Sequence, residues 1–369
     1  CAVVSPPIRN GWHRSPIDYN ARPAAMTGPN ILVIGAAWIG DMVMSQALFM
    51  ALRQRQPGCR ITVLAPAWSR PLLARMPEVD AAIDLSFAHG ELNLGGRFAL
   101  ARALEPKRFD QAIVLPNSFK SALIPAFAGI PLRTGWRGEW RFWLLNDIRL
   151  LDPRKYPRMV ERCVALAYPA GRPLPEPLPR PRLRADPQRL AALREQFALD
   201  PERPVLALCP GAEFGPSKRW PEAHYASLAS IYAERGWQIW LLGSEHDRPV
   251  TDAIVEHLLT ALKAQAYNLA GTTELADALD LLAGADLVVS NDSGLMHIAA
   301  ALDRPQVVVY GSSSPAFTPP LSARAQTLSI PVDCGPCFQR ECPKGHLKCL
   351  NDLSPALVLA AADRLLAAH

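Results

Sequence analysis

The stretch Gly35-Ala-Ala-Trp-Ile-Gly-Asp41 joins the apolar run Ile31–Ile34 to a helix-like segment. A glycine loop between a strand and a helix usually cradles a phosphate on its backbone N–H groups. Asp41, directly after Gly40, does not fit that use, because a carboxylate repels the anion. Capping the following helix is one alternative.

The chain's second half carries a different set of polar loops. The run Val205–Cys209 leads into PGAEFGPSKRWP. Gly211 and Gly215 permit close backbone approach. Lys218 and Arg219 put positive charge at the start of the next helix, where an anion is already favoured. The pair reads as a pyrophosphate clamp or as two solvated cations on a surface loop. The run 237–242 ends in GSEHD, which places Glu245 where acidic residues hold a ribose hydroxyl pair; capping is its other use. The run 286–290 ends in SNDSGLMHIAAAL. Asp292 or Ser293 can cap the next helix. Gly294 keeps that helix's N-terminus open to a phosphate, and His297 lies one turn on. A plain cap with a buried histidine is the alternative. The run 306–310 ends in a further polar loop, YGSSSPAFTPP. No G-x-G-x-x-G follows a strand in either half, which excludes the usual dinucleotide fingerprint. Gly35-x4-Gly40 has no P-loop lysine after it, and no D-x-D pair follows a strand to hold Mg²⁺. A metal-independent nucleotide site in the second half is expected.

Near the C-terminus, CGPCFQRECPKGHLKC brings together Cys334, Cys337, Cys342 and Cys349, with His346 among them. Four thiols this close offer ligands for a structural Zn or Fe–S site. Free thiols in a loop are the other reading, since the spacing fits no standard zinc ribbon. The remaining cysteines, Cys1, Cys59, Cys163 and Cys209, are scattered, as in a reducing compartment.

These loops need elements to hold them. Strand runs at 31–35, 61–66, 81–85 and 111–116 alternate with helices at 41–55, 70–76 and 94–104. The pattern restarts with runs at 205–211, 237–244, 266–271, 285–292 and 306–314, and helices beginning near Pro221, Arg248, Leu275 and Gly294. Continuous apolar strands separated by helices predict α/β architecture: two Rossmann-like, doubly wound parallel-sheet domains facing a cleft. Ligands of such sheets sit at the strands' carboxyl ends. The expected divisions are 29–168, a proline-dense linker over 169–200, 201–352, and a terminal helix over 353–369. Residues 1–28 lack periodicity and signal-peptide architecture. They are expected to be disordered, or to precede a true start at Met26.

The chain has 369 residues, a formal charge of +5, 49% hydrophobic and 20% charged residues, values typical of a globular protein. Residues 30–165 hold 18 Lys/Arg against 11 Asp/Glu, whereas 201–369 hold 12 against 18. The basic first half is the expected face for an anionic partner or a membrane surface. No run of about 18 apolar residues appears, so no transmembrane helix is expected.

Five segments carry a resemblance: ILVIGAAWIGDMVMSQAL, LAPAWSRPLLARMPEV, LPNSFKSALIPAFAGIPLRTGWRGEWR, CPGAEFGPSKRWP and SNDSGLMHIAAAL. Together, over roughly residues 30–330, they resemble the ADP-heptose:lipopolysaccharide heptosyltransferases, nearest to the heptosyltransferase II branch. The resemblance implies a GT-B fold, with the acceptor in the first domain and ADP-heptose in the second. It implies transfer of L-glycero-D-manno-heptose to the first heptose of a heptosyl-Kdo2-lipid A acceptor, with inversion and hence one general base. Asp41 would be that base. Lys218 would bind the donor phosphates, Glu245 the ribose, and Asp292, Ser293, Gly294 and His297 the pyrophosphate and heptose. Glu213 and Phe214 stand where relatives can carry a Thr-Thr pair. Arg70, Lys120, Arg133, Arg137 and Arg141 would face the acceptor. Catalysis would require no cofactor, and no nucleic-acid partner is expected. The protein would be cytoplasmic, with a salt-sensitive peripheral contact at the inner face of the cytoplasmic membrane. Two alternatives remain at this level: a heptosyltransferase I-type enzyme using a Kdo acceptor, and a non-catalytic nucleotide-sugar-binding protein.

Overall fold

A computed structural model describes residues 28–87 and 90–368. The expectation for residues 1–28 therefore lies, apart from Gly28, outside the described residues. Two six-stranded sheets form, and every strand pair in them is parallel. The first contains β1 (Asn30–Ile34), β2 (Arg60–Ala65), β3 (Ala81–Asp84), β4 (Gln111–Val114), β5 (Leu132–Trp136) and β6 (Asp147–Arg149), in the order β3-β2-β1-β4-β5-β6. The second contains β7 (Val205–Cys209), β8 (Gln238–Leu241), β9 (Ala266–Asn268), β10 (Leu287–Asn291), β11 (Gln306–Val309) and β12 (Ala325–Leu328). Its order, β12-β11-β10-β7-β8-β9, repeats the first. Both are the doubly wound arrangement that reverses direction beside its first strand, opening a crevice there.

The central strands are the ones the sequence announces. β7, β10 and β11 are buried along their whole length, and β1 from Ile31 on, as strands covered on both faces must be. β5, β6 and β12 were not foreseen. β5 contains Arg133-Thr-Gly, β6 has three residues, and β12 is a half-exposed edge. Helix starts at Arg248, Leu275 and Gly294 fall as expected, and the helix expected near Pro221 begins at Glu222 with Pro221 as its N-cap.

The proline-dense segment is less uniform than a linker. Its end, Pro187–Gln196, is a helix capped by the Asp186 side chain, which accepts from Gln188 N and Arg189 N. Upstream, the chain straps the two domains together. Arg182 N donates to Gln46 Oε1 (2.9 Å), and Leu183 N to the carbonyl of Ala301 (3.0 Å). Arg75 of the first domain pairs with Asp280 of the second at 2.5 Å. The helix Ile39–Arg55 packs against the helix Gly294–Ala301, and one apolar core includes Val43 and Leu48 from the first domain with Ile298 and Ala299 from the second. The terminal helix Pro355–Ala367 joins the second domain's other core through Val358, Ala361, Ala362 and Leu365.

Candidate active site

The two switch points face each other across a cleft of about 900 Å³, within the range of small-molecule sites. The first domain contributes Trp38, Gly40 and Asp41; the second contributes Lys218, Glu245, Asp292, Ser293, Gly294 and His297. The fold thus gathers the base candidate and all six donor-side candidates.

Asp41 is in the first turn of the helix Ile39–Arg55, whose N-cap is Trp38. Capping is therefore not its use. Burial raises its carboxyl from 3.8 to about 6, with Asp292 adding to the rise and Lys218 opposing it. Such a group is ionised at neutral pH yet holds a proton far better than an ordinary carboxylate.

Facing it, Lys218 Nζ lies 2.6 Å from Asp292 Oδ2, with the lysine 17% and the aspartate 5% exposed. The Phe214 ring lies 4.9 Å from the same ammonium, so the residue in the Thr-Thr position supplies a cation–π contact. Arg219 turns aside, to within 4.0 Å of Asp247. Of the Lys-Arg pair, Lys218 alone lines the cleft.

His297 is buried, and desolvation lowers its imidazole to about 4, leaving the ring neutral at pH 7. Its ring explains Gly40: a Cβ there would stand 2.6 Å from His297 Cδ2. Gly294 likewise meets Ile39, where a Cβ would lie 2.7 Å from the Ile39 Cβ. The two glycines let the helix N-termini of the two domains touch. Gly211 serves packing too, since a Cβ there would collide with the Asp247 carboxylate. Ser293 is the N-cap residue of its helix but makes no side-chain cap bond, which leaves the helix's N–H groups facing the cleft.

Sequence reasoning missed Ser313. It is buried, its Oγ has no hydrogen-bond partner, and it lines the cleft. The polar loop after β11 was visible in the sequence, but nothing there distinguished Ser313 from its neighbours. Phe317 and Thr318 were missed for the same reason, and Phe338 because it reaches the cleft from the cysteine-rich segment.

The basic residues of the first domain divide. Arg137 is exposed, and Arg70 is exposed beside Asp84 at 2.8 Å. Lys120 is half-buried. Arg141 is corrected by the structure: it is 1% exposed, and its guanidinium donates to the carbonyls of Pro116 and Trp136 and to Asn117 Oδ1. Arg133 is half-buried, its side chain donating to the carbonyls of Leu144 and Ile130. Both guanidiniums are engaged in holding loops.

Cys334, Cys337, Cys342, Cys349 and His346 line one small void. Among the described residues, however, no group of His, Cys, Asp or Glu is arranged to hold a metal, so the expected Zn or Fe–S site is not supported. The segment acts instead through its backbone. Ser217 N donates to Arg340 O (3.2 Å), Phe338 N donates to Ser312 O (2.8 Å), and Ser217 Oγ reaches Gln339 O. It braces the loop that presents Lys218.

Paired doubly wound domains, with a high-affinity carboxylate on one side of the cleft and a buried Lys–Asp pair on the other, define a GT-B-type glycosyltransferase. The family model for glycosyltransferase family 9 (heptosyltransferase) matches residues 97–348, and the chain belongs to this family. It is 49% identical over 341 residues to the lipopolysaccharide heptosyltransferase 2 of Escherichia coli K12, covering 91% of this chain and 98% of that one. It is 46% identical over 349 residues to the lipooligosaccharide heptosyltransferase 2 of Haemophilus influenzae, covering 92% and 99%. The solved structure of E. coli ADP-heptose lipopolysaccharide heptosyltransferase II superposes with a TM-score of 0.84 at 48% identity, covering 92% of this chain and 99% of that chain.

Proposed function

We propose that this enzyme transfers L-glycero-D-manno-heptose from ADP-heptose to the first heptose of heptosyl-Kdo2-lipid A. The kinship with heptosyltransferase 2 supports the substrates. The observation that carries the mechanism is Asp41, with its proton affinity near neutrality, opposite Lys218.

Asp41 takes the proton of the acceptor hydroxyl as its oxygen bonds to the anomeric carbon. The bond from that carbon to the ADP oxygen breaks on the opposite face, which inverts the centre. A base of this kind contributes about 10²–10⁴-fold. Lys218, oriented by Asp292, offsets the charge that develops on ADP. The open N-terminus at Ser293 and Gly294 and the unpartnered Ser313 hydroxyl hold the diphosphate. Neutral His297 offers a hydrogen bond to the heptose, and Glu245 holds the ribose. Arg70, Lys120 and Arg137 face the acceptor's anionic groups. Every step is a displacement or a proton transfer, so no cofactor is required.

Among the described residues no helix is long and apolar enough to cross a membrane. Because the acceptor is lipid-anchored, the enzyme works at a membrane surface, proposed to be the cytoplasmic face of the inner membrane.

The test is ADP release from ADP-heptose with acceptors bearing one heptose or none. Release with the one-heptose acceptor alone is expected. Release with the heptose-free acceptor would move the assignment to a Kdo-directed enzyme. Release with neither would leave a nucleotide-sugar-binding protein.

A further inference from the structure

The loop between β5 and β6, residues 137–146, exposes aromatic surface that the fold does not use. Trp140 is 77% exposed, Trp143 80% and Phe142 51%. They are held outward. Arg141, in their midst, is anchored inward on Pro116, Trp136 and Asn117. Glu139 N donates to Asn117 O (3.0 Å), and Phe119 N donates to Glu139 Oε2 (2.7 Å). The amides of Leu144 and Leu145 both donate to Arg141 O at 3.2 Å, which closes a tight turn. With Arg141 fixed, its neighbours have water as their surroundings. Three such side chains within four residues form an apolar patch that a free surface does not favour.

The patch has a charged border. β5 and β6 pair with Trp136 opposite Arg149, so the loops leaving their carboxyl ends are neighbours. The second of these loops exposes Arg154 and Lys155. The whole domain carries the positive excess noted above. Exposed tryptophan beside cationic side chains matches the interfacial zone of an anionic bilayer, where indole rings sit at headgroup depth and Lys/Arg meet phosphate. The loop also leaves the same carboxyl edge of the sheet as the loop that bears Asp41.

We infer that Trp140, Phe142 and Trp143 are the membrane-docking element of this enzyme: they enter the interfacial layer of an anionic bilayer while Arg154 and Lys155 contact its headgroups. The inference rests on the lipid-anchored acceptor proposed above and specifies how the enzyme meets it. Docking through the sheet edge that also bears Asp41 presents the acceptor's sugar to that residue without extracting the lipid.

The test compares the full chain with the W140S/F142S/W143S variant by co-sedimentation with phosphatidylcholine vesicles, with and without about a third anionic phospholipid. The wild type is expected to partition onto the anionic vesicles, and the variant about 30-fold or more weakly, given the apolar area removed. Transfer to acceptor embedded in vesicles should fall about tenfold or more, while kcat/KM for a water-soluble, deacylated acceptor stays unchanged. Equal partitioning of the two proteins would overturn the inference. So would a wild-type dimer that the substitutions dissociate with no change at vesicles, because the patch would then join two copies. If the wild type glycosylates neither acceptor but its vesicle binding still depends on the loop, the proposed function fails and the docking surface stands.

Discussion

Replacing Asp41 by Asn should stabilise the protein and silence it. The native carboxyl is held at about 6 instead of 3.8, chiefly by burial. A group whose folded pKa lies above its unfolded value binds more protons when folded, so stability falls as pH rises from about 4 through about 6. Above that window the full cost of an ionised, partly desolvated carboxylate is present. The displacement corresponds to ~3 kcal/mol, and solvent at the open cleft brings this to roughly 1–2 kcal/mol. Asn has similar shape and no charge, so Asp41→Asn escapes that cost. Denaturant unfolding of both proteins between about pH 4.5 and pH 7.5 should show the variant's advantage growing by roughly 1–2 kcal/mol. Wild-type kcat/KM should rise with pH and level off above about 6, and the variant should lose about 10²–10⁴-fold with ADP binding retained. An advantage that does not change with pH would refute the burial argument. Retained turnover would refute the base.

Lys218→Ala leaves Asp292 buried without its partner, so stability should drop by about 2–3 kcal/mol and ADP should bind about tenfold or more weakly by calorimetry. Adding Asp292→Asn should recover the stability but not the affinity; recovery of both would sink the phosphate role. Gly40→Ala drives a methyl into the His297 ring and should cost about 1–3 kcal/mol. Combined with His297→Ala it should cost less than the two changes summed, and strict additivity in that cycle would count against the contact. Arg141→Met strands the carbonyls of Pro116 and Trp136 and should destabilise by about 2–4 kcal/mol. Arg137→Ala should leave unfolding within about 0.5 kcal/mol while raising the acceptor KM, and the reverse pattern would exchange the two roles.

Much of the frame is legible in the primary structure because its signals are local. Apolar runs such as Ile31–Ile34 and Leu287–Val289 can only be strands buried on both faces, and a helix starting at Gly294 follows from the polar residues before it. β6 and β12 escaped because a short or half-exposed strand needs no apolar run. Ser313 escaped because an unpartnered hydroxyl is defined by what surrounds it.

Residue types and spacing thus determined two doubly wound domains, with a carboxylate after the first strand of one and a cation after the first strand of the other. The tertiary structure decided what those residues can do. Asp41 owes its proton affinity to burial and to Asp292, set against the opposing charge of Lys218, and both of those residues come from the other half of the chain. Gly40, which reads as a phosphate cradle, is glycine because His297 packs on it from the second domain. Arg141, which the family resemblance puts among the acceptor-facing cations, is buried among carbonyls. Burial and through-space charge belong to contacts between distant segments, and no pattern along the chain encodes them locally.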